Sequence, residues 1–185
     1  MIYNVSQLMK AAPGTTLDVD LDDSDDLNLQ EGEAELAGPV TGHVRLHRTN
    51  QGIFADGTVT TAVTLNCDRC LSDFVTPLTF PVREEFYPTI DVTTGAPLQT
   101  AHGEDAFPID SRHELDLREA IRQNLVLALS ARALCREDCE GLCQQCGQNL
   151  NEGDCDCPPE PTDERFGVLR ALLVDATPDA GSGAN

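Results

Sequence analysis

The chain has 185 residues, the size of a single domain, and its 12 Lys and Arg stand against 32 Asp and Glu, a formal net charge of -20. This balance excludes a protein that grips a nucleic-acid backbone over a broad face, because that affinity comes from basic side chains that displace counterions. The first residues contain no apolar stretch that would serve as a secretory signal, and no run approaches the roughly 20 apolar residues of a membrane-spanning helix. We therefore expect a cytoplasmic protein with no membrane partner.

The N-terminal part of the chain predicts a short helix followed by a strand. Ser6 is a candidate cap for a helix that runs to about Ala12. From Thr15 apolar and acidic residues alternate, which is the pattern of a half-buried strand. The acidic stretch 18–35 matches several ligand positions of a calcium loop, but its sixth position is Asp25 rather than Gly and no helical pattern flanks it. We interpret this stretch as a solvated acidic face.

The middle of the chain predicts an antiparallel β-meander. Residues 38–87 contain three long runs with strand periodicity, and residues 51–52 and 56–57 carry turn signals. Short connections favour antiparallel pairing of consecutive strands. Residues 88–108 are rich in Pro and Gly and predict a polar loop.

The last third of the chain predicts two helices. Apolar residues recur every four positions over about residues 115–131, and residues 166–173 repeat the pattern more briefly. The sequence thus predicts an α+β fold in which an antiparallel β-meander packs with C-terminal helices and carries a Cys-rich zinc-binding segment. We expect three regions: residues 1–134 with the sheet and the main helix, residues 135–175 with the zinc-binding segment and the C-terminal helix, and a disordered tail at residues 176–185.

Eight cysteines are the most informative feature of the sequence. They form four close pairs: Cys67 and Cys70, Cys135 and Cys139, Cys143 and Cys146, Cys155 and Cys157. A reducing compartment argues against a disulfide framework, and eight thiolates divide into two sets of four, the number that structural Zn²⁺ takes. We expect two closed zinc sites, each made of four cysteines. A single iron or an iron–sulfur cluster would use the same ligands.

The sequence indicates that there are two sites more directly than it indicates which four cysteines share a site. The last four cysteines lie within residues 143–157, so they close one site with little loop-closure entropy. The favoured grouping is therefore Cys143, Cys146, Cys155 and Cys157 in one site, and Cys67, Cys70, Cys135 and Cys139 in the other. Interleaved groupings stay open, because Cys139 and Cys143 are close enough in sequence to exchange.

The sequence does not assemble an enzyme. Sites made only of sulfur leave no open position for water, and we find no nucleophile motif, phosphate loop or zinc-protease motif. A thiol-disulfide enzyme or redox-switched chaperone that uses Cys67 and Cys70 is the competing hypothesis, although the strand before this pair and the lack of a helix after it differ from the usual redox site. His43, Arg45 and His47 share one strand face and read as a solvent-facing side rather than a binding site.

Three segments together resemble the bacterial YceD family of large ribosomal RNA subunit accumulation proteins. They are LNCDRCL at residues 65–71, the helix start DLRE at residues 116–119, and GLCQQCGQNLN at residues 141–151. The resemblance implies a role in accumulation of large-subunit ribosomal RNA, hence in ribosome biogenesis, without a known catalytic activity or small-molecule substrate.

Resemblance and charge lead to different expectations about the partner. An acidic protein assists assembly by holding a basic ribosomal or assembly protein, since complementary charge raises the association rate. We therefore favour a basic protein partner. Direct RNA binding through Arg45, Arg48 and the zinc modules is the weaker hypothesis.

Overall fold

A computed structural model describes residues 1–23, 27, 29, 34–98 and 106–158. The chain divides into two compact units, Met1–Gly141 and Leu142–Asn185. Among the described residues, the helices and strands lie in the first unit and are, in chain order, β1 (Ile2–Asn4), α1 (Ser6–Lys10), β2 (Thr16–Asp23), β3 (Glu35–Leu36), β4 (Val40–Arg48), β5 (Ile53–Asn66), β6 (Asp73–Pro88), β7 (Phe107–Ile109), β8 (Glu114–Asp116) and α2 (Arg118–Ala128).

One eight-stranded sheet organises the first unit, with the order β1-β8-β7-β6-β5-β4-β2 and with β3 on β5. The antiparallel pairing predicted for the three long strands is confirmed in β4, β5 and β6. The expectation of a plain meander holds only in part. Strand β7 pairs parallel to the end of β6, from Phe86 with Phe107 to Pro88 with Ile109. Parallel pairing needs a long connection, which residues 89–106 supply.

The turn predicted at residues 56–57 is wrong, because both residues lie inside β5. Gly57 pairs with Val44 of β4, and a Cβ atom at Gly57 would collide with the carbonyl oxygen of His43. The glycine thus permits a close approach of two backbones rather than a reversal of the chain. In the sequence, an Asp-Gly pair looks the same whether it forms a turn or lies inside a strand.

The sheet curls, so that β1 and β2, the first and last strands in its order, approach each other. The Tyr3 hydroxyl of β1 donates a hydrogen bond to the backbone carbonyl of Asp20 in β2, at 3.3 Å. The enclosed core is apolar and includes Leu46, Phe80 and Phe86, each at most 2% exposed. Full burial of such side chains stabilises the fold by about 1.5–3 kcal/mol each.

The main helix is shorter than the predicted 115–131. Helix α2 begins at Arg118 because residues 114–116 form β8 and pair with β1. Its apolar face buries Ile121 and Leu125 as the periodicity predicts. Among the described residues, no helix is both long and apolar enough to cross a membrane. The predicted helix at 166–173, the tail at 176–185 and, within the acidic stretch 18–35, residues 24–26, 28 and 30–33 lie outside the described residues.

Candidate metal centres

The loop that joins β5 to β6 places the first cysteine pair. The backbone N–H of Leu71 donates to the carbonyl of Cys67 at 2.9 Å, and the N–H of Cys67 donates to the carbonyl of Ser72 at 2.9 Å. Leu71 has a φ of 58°, in the left-handed region. These two hydrogen bonds close a tight loop, which turns the sulfurs of Cys67 and Cys70 to the same side.

The second pair of this site, Cys135 and Cys139, follows α2. The four sulfur atoms lie within 4.8 Å of one another. Cys67 Sγ is 3.7 Å from Cys139 Sγ, and Cys70 Sγ is 3.8 Å from Cys135 Sγ. A regular tetrahedron with Zn–S bonds of about 2.3 Å has sulfur–sulfur edges of about 3.8 Å. We call these four residues the long-range cluster.

The second group of four lies wholly within residues 143–157. Its first loop repeats the geometry of the β5–β6 loop: the N–H of Gly147 donates to the carbonyl of Cys143 at 2.9 Å, and the N–H of Cys143 to the carbonyl of Gln148 at 2.8 Å. Gly147 has a φ of 74°. The sulfurs of Cys143, Cys146, Cys155 and Cys157 also lie within 4.8 Å of one another. We call these four residues the local cluster.

None of the sulfurs is joined in a disulfide. All eight cysteines are free, and sulfur–sulfur distances of 3.7 and 3.8 Å are far longer than the bond of about 2.05 Å. The two groups of four are those that loop closure favours in the sequence, not an interleaved set. Both clusters therefore have the donor set and the spacing to hold one metal ion each.

Burial distinguishes the two clusters. In the long-range cluster Cys67, Cys70 and Cys139 are at most 5% exposed, and Cys135 alone is exposed. In the local cluster three sulfur-bearing residues are of intermediate exposure and Cys146 is exposed. Water and chelators therefore reach the local cluster more easily.

Within each cluster the pKa values of the thiols are shifted in opposite directions. Backbone N–H groups of Cys135 and Cys70 point at the Cys67 sulfur and lower its pKa to about 6, while loss of hydration and the neighbouring thiols raise the pKa of Cys135 to about 12. In the local cluster N–H groups of its own loop lower the pKa of Cys143 to about 6, whereas neighbouring thiols and burial raise that of Cys157 to about 12. A cation bound among these sulfurs would favour the thiolate form of all four.

Carboxylates of β2 pair with two residues of the basic strand face, His43 and Arg45. His43 lies between two carboxylates of β2, with Nδ1 2.8 Å from Asp20 and Nε2 3.2 Å from Asp18, and these carboxylates raise its pKa. Arg45 Nε donates to Asp18 at 2.7 Å. Arg48 instead donates to backbone carbonyls, including that of Gly52 at 2.9 Å. His43 and Arg45 are thus exposed and paired with carboxylates, whereas His47 is partly buried and its ring packs near that of Phe54.

The sequence did not predict the hydrogen bonds made by the two residues between Cys67 and Cys70. Asp68 and Arg69 both hydrogen-bond to the segment that carries Cys135 and Cys139. Their types gave no signal, because a polar pair in a surface loop is ordinarily solvated. The left-handed conformation of Leu71 was missed as well, since only the other loop shows Gly at the equivalent position, Gly147.

Comparison with known proteins gives a consistent result. A family model described as Large ribosomal RNA subunit accumulation protein YceD matches residues 55–173. The Large ribosomal RNA subunit accumulation protein YCED homolog 1, chloroplastic, of Arabidopsis thaliana is 32% identical over 158 residues, which cover 72% of this chain and 48% of the plant protein. Its Zea mays counterpart is 32% identical over 162 residues, covering 72% of this chain and 55% of the maize protein.

A bacterial relative extends the comparison. An uncharacterized protein of Mycobacterium leprae is 28% identical over 119 residues, 63% of this chain and 51% of its own length. The chain spans about half the length of the curated relatives it matches. No solved structure matches it significantly.

Proposed function

The chain belongs to the YceD family of large ribosomal RNA subunit accumulation proteins, and on that premise we propose that it is a non-enzymatic, zinc-binding accessory factor in ribosome biogenesis. Its role is to support accumulation of large-subunit ribosomal RNA. The observation that carries the metal part of this proposal is the pair of four-cysteine clusters, in each of which the four sulfurs lie within 4.8 Å of one another. In the long-range cluster two of the sulfur–sulfur distances, 3.7 and 3.8 Å, match a tetrahedral site. The expected cytoplasmic location stays a prediction.

Zinc suits these clusters as a structural ion. Four thiolates fill a tetrahedral coordination sphere, so no position remains for a water or a substrate. A bound ion would cross-link the chain segments that carry the sulfurs. A polynuclear iron–sulfur cluster would hold its thiolates farther apart than a single shared ion does. Elemental analysis of freshly purified protein should find two zinc per chain, and iron in their place would overturn the assignment.

A basic protein is the partner that the charges favour. The formal net charge of -20 attracts a basic surface, and four thiolates around each Zn²⁺ would add about two negative charges per cluster. His43 and Arg45 of β4 are paired with Asp18 and Asp20, and Arg48 donates to backbone carbonyls, so these three residues offer little free charge to phosphate. We propose that the chain holds a basic ribosomal or assembly protein during large-subunit assembly.

A pull-down with and without ribonuclease tests this partner. We expect the tagged, zinc-loaded chain to retain basic ribosomal or assembly proteins from lysate after ribonuclease treatment, and purified candidates to bind it directly at low salt. Loss of all captured proteins on ribonuclease treatment would argue for RNA contact. A titration of purified chain with large-subunit ribosomal RNA separates the two, because RNA binding weakens with salt by a slope set by the phosphate contacts.

The competing function is a thiol-disulfide protein or redox-switched chaperone. The C-x2-C loop at Cys67 and Cys70 is the feature that favours it, but Cys67 is 0% exposed and the chain continues into a strand rather than a helix. Thiol labelling discriminates between the functions. Two zinc per chain with all eight thiols unreactive until a chelator is added would exclude the redox function. A metal-free protein with one fast thiol at Cys67 or Cys70 would favour it.

A further inference from the structure

We infer that Arg69 and Gln145, the residues just before the second cysteine of each C-x2-C loop, are positioning residues that close the two clusters around their ions. Neither side chain is a ligand. Each reaches across its cluster to the backbone that carries the fourth cysteine. The inference rests on the proposed binding of metal, and it assigns a role to residues that ligand spacing leaves unexplained.

In the long-range cluster the contact bridges distant parts of the chain. Arg69 Nη1 donates to the carbonyl oxygen of Cys139 at 2.7 Å, across 70 residues of sequence. Next to it, Asp68 accepts a hydrogen bond from the N–H of Ala133 at its Oδ2 atom, at 2.8 Å, and its own N–H donates to the Ala133 carbonyl at 2.8 Å. Asp68 and Arg69 thus hold the segment that contains Cys135 on both sides.

The packing around Arg69 is close. Gly141 follows Cys139 by two residues and has a φ of 80°, and a Cβ atom there would lie 3.2 Å from the Arg69 carbonyl oxygen. The left-handed conformation and the short approach both favour glycine. The segment after Cys139 therefore wraps against the loop that contains Arg69, which keeps the guanidinium within reach of its acceptor.

The local cluster uses the equivalent position in the same way. Gln145 Nε2 donates to the carbonyl oxygen of Pro158 at 2.6 Å, and Pro158 directly follows Cys157. Gln148 supports the same closure from the other side, since its Nε2 donates to the carbonyls of Gly153 at 3.2 Å and Asp154 at 3.1 Å, just before Cys155. In both clusters the side chain just before the second cysteine donates a hydrogen bond to the backbone at or directly after the fourth cysteine, although the chain connects the cysteines differently.

We expect these hydrogen bonds to affect metal affinity and the rate of metal exchange. Hydrogen bonds that hold the ligand segments in place keep the sulfurs at coordinating distance, and loss of such an outer contact typically lowers affinity by about 10- to 100-fold. Arg69 adds a positive charge beside the thiolates of its cluster, whereas the neutral Gln145 does not. We therefore expect a larger effect at Arg69.

The test uses the full zinc-loaded chain with Arg69→Met and Gln145→Met, each of which serves as the control for the other. The measurement is the alkylation rate of each cysteine in the presence of EDTA, read by peptide mass spectrometry, together with the Zn²⁺ affinity from competition with a chromophoric chelator. We expect Arg69→Met to accelerate labelling of the long-range cluster by about 10- to 100-fold and Gln145→Met to accelerate labelling of the local cluster, each without effect on the other cluster. Arg69→Lys, which keeps a donor and the charge, should restore slow labelling.

The outcomes separate this inference from the proposed function. Two zinc per wild-type chain with unchanged labelling in both Met variants would overturn the positioning roles and leave zinc binding intact. Equal acceleration at both clusters in either variant would also overturn them, because it would indicate global destabilisation. A wild-type chain that holds no zinc would overturn the proposed metal binding, and the positioning roles with it.

Discussion

The two cysteine clusters share a loop geometry but differ in what they connect. In the long-range cluster the hydrogen-bonded loop of Cys67 and Cys70 meets a segment that lies 65 residues further along the chain, after α2. In the local cluster all four ligands lie within residues 143–157. A metal ion held by the same four-thiolate set would thus cross-link a β-hairpin to a remote segment in one case and close a short segment on itself in the other.

Loop length sets the difference in what each cross-link contributes. In the chain-entropy description, closing a loop of about 65 residues stabilises a fold by about 4 kcal/mol, and closing one of about 10 residues by about 3 kcal/mol. The larger contribution falls on the unit that contains the sheet. We therefore expect the two clusters to differ in how much they stabilise the fold, although their donor atoms are the same.

The largest expected effect comes from removal of one ligand from each cluster. Cys139→Ser should lose one zinc and lower the free energy of unfolding of the sheet-containing unit by about 4 kcal/mol, because the remote segment is released. Cys157→Ser should also lose one zinc but leave the unfolding of that unit unchanged. Elemental analysis and urea unfolding followed by circular dichroism check both. Equal destabilisation by the two variants would remove the distinction between the clusters.

Metal removal from the wild-type chain should come next in size. Because Cys67, Cys70 and Cys139 are at most 5% exposed while the local cluster is more accessible, we expect a chelator to extract zinc in two phases separated by about 10-fold or more in rate. Native mass spectrometry counts the ions, and cysteine alkylation identifies the cluster emptied first. Release from the long-range cluster first would show that burial does not control exchange.

The smallest expected effect distinguishes the two loops at their left-handed positions. Leu71 adopts a φ of 58° with its side chain 66% exposed, whereas Gly147 occupies the equivalent position with a φ of 74°. Gly147→Ala should cost about 1 kcal/mol from backbone strain alone, because no atom lies within 4 Å of the added Cβ. Leu71→Gly should gain about 0.5 kcal/mol, since relief of strain exceeds the entropy cost of glycine.

Urea unfolding of the zinc-loaded variants measures both changes. A loss of stability in Leu71→Gly would contradict the strain argument and would mean that the exposed leucine makes contacts that stabilise the loop. Gly147→Ala with unchanged stability would mean that the local loop tolerates a side chain as readily as the loop of Cys67 and Cys70 does.

Local patterns predicted much of the sheet and missed its closure. Alternating apolar residues located β4, β5 and β6, and fourfold spacing located α2, because burial of one face imposes these periods directly on the sequence. The strands β1, β7 and β8, which complete the sheet by pairing β1 with β8 and β7 with β6, have three residues each and are too short to show a period. Gly57 shows the same limit, since its role depends on the strand beside it.

In the cysteine clusters, too, local features could be predicted from the sequence and contacts between distant segments could not. The number of thiols, their close pairing and the glycine after Cys146 were readable from residue types alone, because metal ligation requires a particular donor at a particular spacing. Loop-closure entropy also indicated the grouping, since short loops close at lower cost. The contacts of Asp68 with Ala133 and of Arg69 with Cys139 depend on where the curled sheet brings the end of α2. Such contacts join residues about 65 or more positions apart, and no local pattern records them, because a hydrogen bond between distant segments exists only once the chain has folded.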